Sequence, residues 1–239
     1  MPGCTSDEGS KSNADLRRFV AGSTHDNRAR DYQRFLAGLC GDCLAASTPA
    51  VILSGGLSER LGQPKAMVKV HDKAILTITV EKLQSVGCDP IIIVVNRNIQ
   101  FDALLNSNGA TVVVNKTPET GRTGSLKLGL NTIIAELGRV PNKLVMVPID
   151  RPGWKANHLR QLLTQPMSSC LAEGGKRGHP VLLVKNNLLD ILSASDDAVL
   201  RELIHFDSVE ITGGLLSLNL DTPADLVELA KNSAFFTEL

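Results

Sequence analysis

From Pro49 onward, short apolar runs alternate with segments whose apolar positions recur at helical spacing. The runs "AVILS", "PIIIVVN", "ATVVVN" and "KLVMVPID" read as buried strands. Between them the pattern predicts helices from Ala74 to Val86, near Ile99 to Leu105, and from Thr123 to Leu137. In the last of these, Leu126, Leu130, Ile133 and Leu137 fall at i, i+4, i+7 and i+11, which makes one buried stripe. Beyond Pro152 the pattern loosens into "HPVLLV", two short helices, "SVEIT", "LLSLNL" and a closing helix from Pro223. Asp221 or Thr222 supplies the start signal of that helix, with Pro at its first turn. This βαβ rhythm predicts an α/β fold, a mostly parallel sheet with helices on both faces.

Residues 1 to 47 break the rhythm. The first dozen are rich in Gly, Ser and Asp and read as disordered, and Asp31 to Leu44 carries Phe35, Leu36 and Leu39 at helical spacing. The expected organisation is therefore an N-terminal extension, disordered then helical, over 1–47 and an α/β domain over 48–239. The extension is a candidate contact for a protein partner or a second copy.

Composition narrows the function. The chain has 239 residues, 43% of them apolar, enough for a sizeable core. Its 25 basic and 25 acidic residues balance, so no overall attraction to nucleic acid or to a membrane surface is expected, and any anion site must be local. The longest apolar runs, such as "IIIVV", are too short to span a bilayer, and the polar N-terminus lacks an apolar core, so the expectation is a soluble, cytoplasmic protein. Of the five cysteines, Cys40 and Cys43 form a C-x-x-C, but no second pair completes a zinc site. Cys4, Cys40, Cys43, Cys88 and Cys170 are read as free thiols.

The local anion site is suggested by "AVILSGGLSERLGQPKAM", Ala50 to Met67. Gly55 and Gly56 let the backbone turn at the end of a strand, and the amides exposed there, with Arg60 and Lys65 close behind, suit a polyphosphate. A P-loop is excluded because Ala66 follows Lys65 where a hydroxyl is needed, and no G-x-G-x-x-G is present.

The stretch "LSGGLSERLGQPK", Leu53 to Lys65, resembles the signature L-x-(A/G)-G-x-S-x-R-x-G-x-P-K of the MobA-like NTP transferases, which attach CMP or GMP to molybdopterin. It resembles more distantly the sugar-phosphate nucleotidyltransferases. Four further segments follow in family order: "NKTPETGRTGSLKLGL" from Asn115, "VPID" ending at Asp150, "GHPVLL" around His179, and "LNLDTPADL" containing Asn219 and Asp221. The resemblance covers Pro49 to about Ala230 and implies a Rossmann-like nucleotidyltransferase fold. Two positions depart from the family pattern: Arg151 stands where Met or Gln is usual, and Asp72 where a turn Gly is usual.

The resemblance implies that an NTP and a small phosphorylated acceptor are the substrates and that Mg²⁺ is the cofactor. The implied nucleotide site comprises Leu53, Ser54, Gly55, Gly56, Arg60, Lys65, Asn96, Gly124 and Ser125, with amides from Ser54 to Leu57. Arg60, Lys65 and Asp150 are the implied catalytic residues, His179 the acceptor-side residue, and Asp150 with Asp221, or Asn219 in its place, the metal ligands. Physical chemistry asks for the same residue types. The protein has to position the groups and neutralise charge as pyrophosphate leaves. Mg²⁺ takes hard oxygens and needs only one or two carboxylates beside the phosphates.

Each residue has a plainer role when taken singly: Lys65 a surface lysine, Asp150 a turn residue, Asp221 a helix N-cap, His179 a strand histidine, Asn96 a strand terminator. The alternatives in function are a sugar- or polyol-phosphate nucleotidyltransferase and a nucleotide-binding regulator without turnover. On the nucleotide, Gly55 resembles the guanylyl branch, while "GHPVLL" and "LNLDTPADL" resemble the cytidylyl branch.

Overall fold

The structure, a computed structural model, describes residues 47–237 apart from Leu57 and Glu59. The extension helix from Asp31 to Leu44 and the Cys40/Cys43 pair lie outside the described residues.

The chain begins with β1 (Ala50–Ser54), followed by a small hairpin of β2 (Lys69–Val70) and β3 (Lys73–Ala74). His71 and Asp72 form its two-residue turn with φ of 48° and 65°, the left-handed region where Asp is among the better-tolerated residues. Helix α1 (Ile75–Ser85), β4 (Ile91–Val95), α2 (Gln100–Leu105), β5 (Thr111–Val114), α3 (Arg122–Leu137) and β6 (Lys143–Pro148) then alternate as expected. The second half adds α4 (Ala156–Leu163), β7 (Ser169–Glu173), β8 (Lys176–Val184), α5 (Lys185–Ser193), α6 (Leu200–Leu203), β9 (Asp207–Glu210) and α7 (Pro223–Lys231).

The seven-stranded sheet has the order β5-β4-β1-β6-β8-β7-β9. Strands β5, β4, β1 and β6 are mutually parallel, β8 runs antiparallel to both β6 and β7, and β9 is parallel to β7. The apolar runs are continuous because both faces are covered. Ala50, Ile52, Ile91, Ile93 and Val145 face one core with Leu76, Leu83 and Leu159 of α1 and α4. Val51, Leu53, Ile92, Val94 and Met146 face the other with Leu126, Leu130 and Ile133 of α3 and Leu188 of α5. This is the Rossmann-like α/β layering, with helices on both faces.

Two expectations need correction. The stretch "LLSLNL" alternates like a strand but forms none: Leu215 and Leu220 donate to the backbone oxygens of Gly153 and Asp150, and a turn bond from Leu218 to Leu215 interrupts any ladder. Helix α4 and strand β7 go unread in the sequence, although Ala156, Leu159 and Leu162 are buried on one helix stripe. Cys88 and Cys170 are free and buried, as small apolar residues are. Among the described residues no helix is long and apolar enough to cross a membrane.

Candidate active site

After β1 the chain builds β4 and β5 to one side, then crosses back to lay β6 against the other side of β1. The carboxyl ends of β1 and β6 therefore diverge at a switch point, where open α/β sheets bind ligands. Register pairs Leu53 with Pro148, and the Ile149 amide donates to the Leu53 carbonyl at 3.0 Å, so the glycine loop after β1 and Asp150 after β6 start side by side. A cleft of about 370 Å³ opens there, bordered by Leu53, Ser54, Gly55, Gly56, Arg60, Lys65, Ser125, Asp150, Asn219 and Asp221.

Lys65 joins the acidic pair. Its Nζ donates to Asp221 Oδ1 at 2.9 Å and stands 3.7 Å from Asp150 Oδ2, while Arg60 meets Asp221 Oδ2 at 3.0 Å. The hydrogen-bonded Lys65 ammonium, with Arg60 beside it, holds the Asp221 carboxyl below the usual carboxylate range. Lys65 is itself anchored, its amide donating to Ser58 Oγ at 3.2 Å.

Asp221 is not the helix cap. Thr222 is the N-cap of α7, and Asp225 Oδ2 accepts from the Thr222 and Asp221 amides and from the Thr222 hydroxyl. That capping box leaves the Asp221 carboxylate turned to the cations.

Asn219 lines the same cleft, and its buried Oδ1 has no hydrogen-bond partner. Two carboxylates within reach of one ammonium and an orphaned amide oxygen form a hard-oxygen donor set of the kind Mg²⁺ accepts alongside phosphate oxygens. Among the described residues, no group of three or more acidic, histidine or cysteine side chains is gathered to hold a metal, so a bound cation would depend on substrate for further ligands.

The other expected residues divide. Ser125 borders the cleft, its hydroxyl accepting from Asn115 at 3.0 Å and donating to the Gly121 carbonyl. Gly124 does not border it: its amide donates to the Asp196 carbonyl at 2.9 Å and is committed there. Asn96 lies behind the loop, only 4% exposed, donating to the Gly55 and Gly56 carbonyls and capping the turn that follows β4. It braces the glycine loop and does not border the cleft. Leu57 is outside the described residues.

His179 lies on β8, two residues before the partner of Met146, and like Gly124 does not border the cleft. Burial pushes its pKa down to about 4, with Arg122 and Arg151 adding to the effect and Asp150 opposing it, so the imidazole is neutral. Its Nδ1 is buried without a partner.

The sequence reading missed Arg122 as a cleft residue. The signal available was Gly121 and a cation at the start of a strongly periodic helix.

The cleft thus gathers the glycine loop, two carboxylates joined by Lys65, and the guanidiniums of Arg122 and Arg151. The chain is 31% identical over 166 residues to the molybdenum cofactor guanylyltransferase of Shewanella frigidimarina, covering 67% of this chain and 80% of that one. It is 26% identical over 188 residues to the molybdenum cofactor cytidylyltransferase of Escherichia coli K12, covering 74% and 92%. A bifunctional IPC transferase and DIPP synthase of Thermococcus kodakarensis is 36% identical over 84 residues, which span 33% of this chain and only 19% of that protein. Among solved structures, Rv0371c from Mycobacterium tuberculosis H37Rv superposes with a TM-score of 0.67 at 21% identity, over 79% of this chain and all of that one, and shares the fold. The MobA-like NTP transferase domain matches residues 50–211, most of the described chain, and this protein belongs to that family of nucleotidyltransferases.

Proposed function

We propose that the protein transfers NMP from CTP or GTP to a phosphorylated acceptor of the molybdopterin type, releasing pyrophosphate in a Mg²⁺-dependent reaction in the cytoplasm. The observation that carries this reading is the meeting of Asp150 and Asp221 at the Lys65 ammonium, beside the glycine loop. Gly55 and Gly56 offer backbone amides to the triphosphate. Lys65 and Arg60 take up the charge that grows on the leaving pyrophosphate. Asp150, Asp221 and Asn219 Oδ1 would hold Mg²⁺, which when bound supplies Lewis-acid neutralisation of phosphate oxygens. Asn96 keeps the loop in place from behind, and Ser125 borders the cleft beside it.

The similarity to a protein named as an IPC transferase favours a second acceptor class, a sugar or polyol phosphate. The test is pyrophosphate release with each NTP, given molybdopterin or a polyol phosphate as acceptor. Release with molybdopterin alone supports the proposal, and release with the polyol phosphate alone replaces it. Nucleotide binding without release from either acceptor would favour a nucleotide-binding regulator.

A further inference from the structure

Four cations and two anions border the cleft among the described residues, which leaves it two charges positive. Arg60 and Lys65 are engaged by Asp221 and Asp150. Arg122 and Arg151 have no carboxylate within ion-pair distance among the described residues. Two guanidiniums that border one cleft and take part in no ion pair leave it positive charge with which to meet an anionic ligand.

The two arginines come from different elements and converge. Arg122 is the first residue of α3, a 16-residue helix with no side-chain cap at its N-terminus, and Arg151 follows directly on Asp150. Both lie close enough to His179 to act on its charge, and the buried Nδ1 of that residue lacks a partner. Asp150 acts on His179 as well, so this side of the cleft holds two guanidiniums against one carboxylate that Lys65 shares.

We propose that Arg122 and Arg151 form the seat of the acceptor's phosphate, a monoester dianion. The proposal rests on the nucleotidyltransferase reading above and assigns the acceptor half of that site. A monoester carries roughly two negative charges at neutral pH, which matches the two unpaired cations. The planar guanidinium fork pairs bidentately with phosphate oxygens, which also orients the group.

The chemistry balances without a general base. One oxygen of the seated monoester attacks the α-phosphorus, and a P–O bond forms. The bond from that phosphorus to the oxygen bridging to the β-phosphate breaks, and its electron pair leaves with pyrophosphate. The attacking oxygen is already deprotonated, so the seat needs positive charge and a fixed orientation.

The test uses the full chain, Mg²⁺ and the non-cleavable α,β-methylene analogues of CTP and GTP, followed by calorimetric titration of inorganic phosphate into the nucleotide-saturated protein. Arg122→Gln and Arg151→Gln should each weaken phosphate binding by about tenfold or more, while nucleotide affinity changes by less than about twofold. Arg151→Lys, which keeps the charge and loses the fork, should fall between the wild type and Arg151→Gln. Nucleotide affinity falling as far as phosphate affinity would assign the arginines to the triphosphate and overturn the proposal. So would a wild type that binds nucleotide but takes up no phosphate. A wild type that binds neither nucleotide analogue would overturn the nucleotidyltransferase reading itself.

Discussion

The amide of Leu220 donates to the carbonyl oxygen of Asp150 over 2.9 Å. With the 2.7 Å bond from Leu215 to Gly153, it lays the segment before α7 along the segment after β6, so two acids far apart in sequence meet at one lysine. Gly153 permits the approach, since a Cβ there would stand 1.9 Å from the Leu215 oxygen. From behind, the buried Lys82 ammonium donates to the carbonyls of Pro152 and Trp154 at 3.2 and 2.6 Å and lies about 5 Å from the Trp154 and Phe236 ring centres. The acids are thus placed by backbone contacts and not by their own pairing.

It follows that Asp150→Asn should keep the fold and lose the chemistry. The Asp150 side chain is 21% exposed and outside the core, and Lys65 retains Asp221. Steady-state turnover with the preferred NTP should fall below about a tenth of wild type, because the amide removes the charge from the proposed metal ligand. Unchanged turnover in a folded variant would remove Asp150 from the metal site.

Lys82 gives the fold a pH dependence. Burial, with Lys155 nearby adding repulsion, pushes its pKa down from 10.5 to about 7. The unfolded chain then binds more protons than the folded one between those values, so the Lys82 contribution to stability rises with pH from about 7 to about 10.5. Lys82→Met cannot titrate. Urea unfolding from pH 7 to 9 should show wild-type stability gaining on the variant with each step, by at most about 1.4 kcal/mol per unit. A difference constant with pH would mean that Lys82 titrates alike in both states.

Where one local signal decided the structure, the sequence was legible. Leu126, Leu130 and Ile133 predicted α3 because their spacing has no other use, and "IIIVV" predicted β4 because only a doubly covered strand tolerates such a run. Strand β7, "SCLAE", carries no such pattern and exists because β8 and β9 pair with its two edges. Gly55, Lys65, Asp150 and Asp221 stand in separate motifs and border one cleft, whereas placements set by long-range partners were not legible. Asn96 reads as a strand end, and only the folded chain shows that it supports the Gly55 and Gly56 carbonyls. No local pattern marks Lys82, which is buried because Trp154 and Phe236 pack over it in the folded chain.

Gly129 has a packing role that can be measured. An added Cβ would stand 2.7 and 2.9 Å from the Val51 methyls and 3.1 Å from a Val94 methyl, so α3 rests directly on β1 and β4 there. Gly129→Ala should destabilise the protein by about 1–3 kcal/mol through overpacking. The better helix propensity of Ala returns at most about 1 kcal/mol. A midpoint of chemical denaturation equal to or above wild type would show that the helix can lift without cost.

Gly55 bears on the choice of base. It borders the cleft, its φ lies outside the left-handed region, and a Cβ would meet only Ser125 Oγ, at an ordinary 3.6 Å. Gly55→Ala should therefore fold normally, with the new methyl group projecting into ligand space. Asn96 bonds the carbonyls of Gly55 and Gly56, so the loop cannot easily swing away to recover that space. A two-ring purine needs more room beside this backbone than a pyrimidine does. Gly55→Ala should thus lower kcat/KM for GTP more than for CTP, by about 1–3 kcal/mol of differential transition-state binding, the range a pocket-size change provides. The measurement is kcat/KM for both nucleotides in wild type and variant under one acceptor. Equal losses would place the base elsewhere in the cleft and leave Gly55 serving the turn alone.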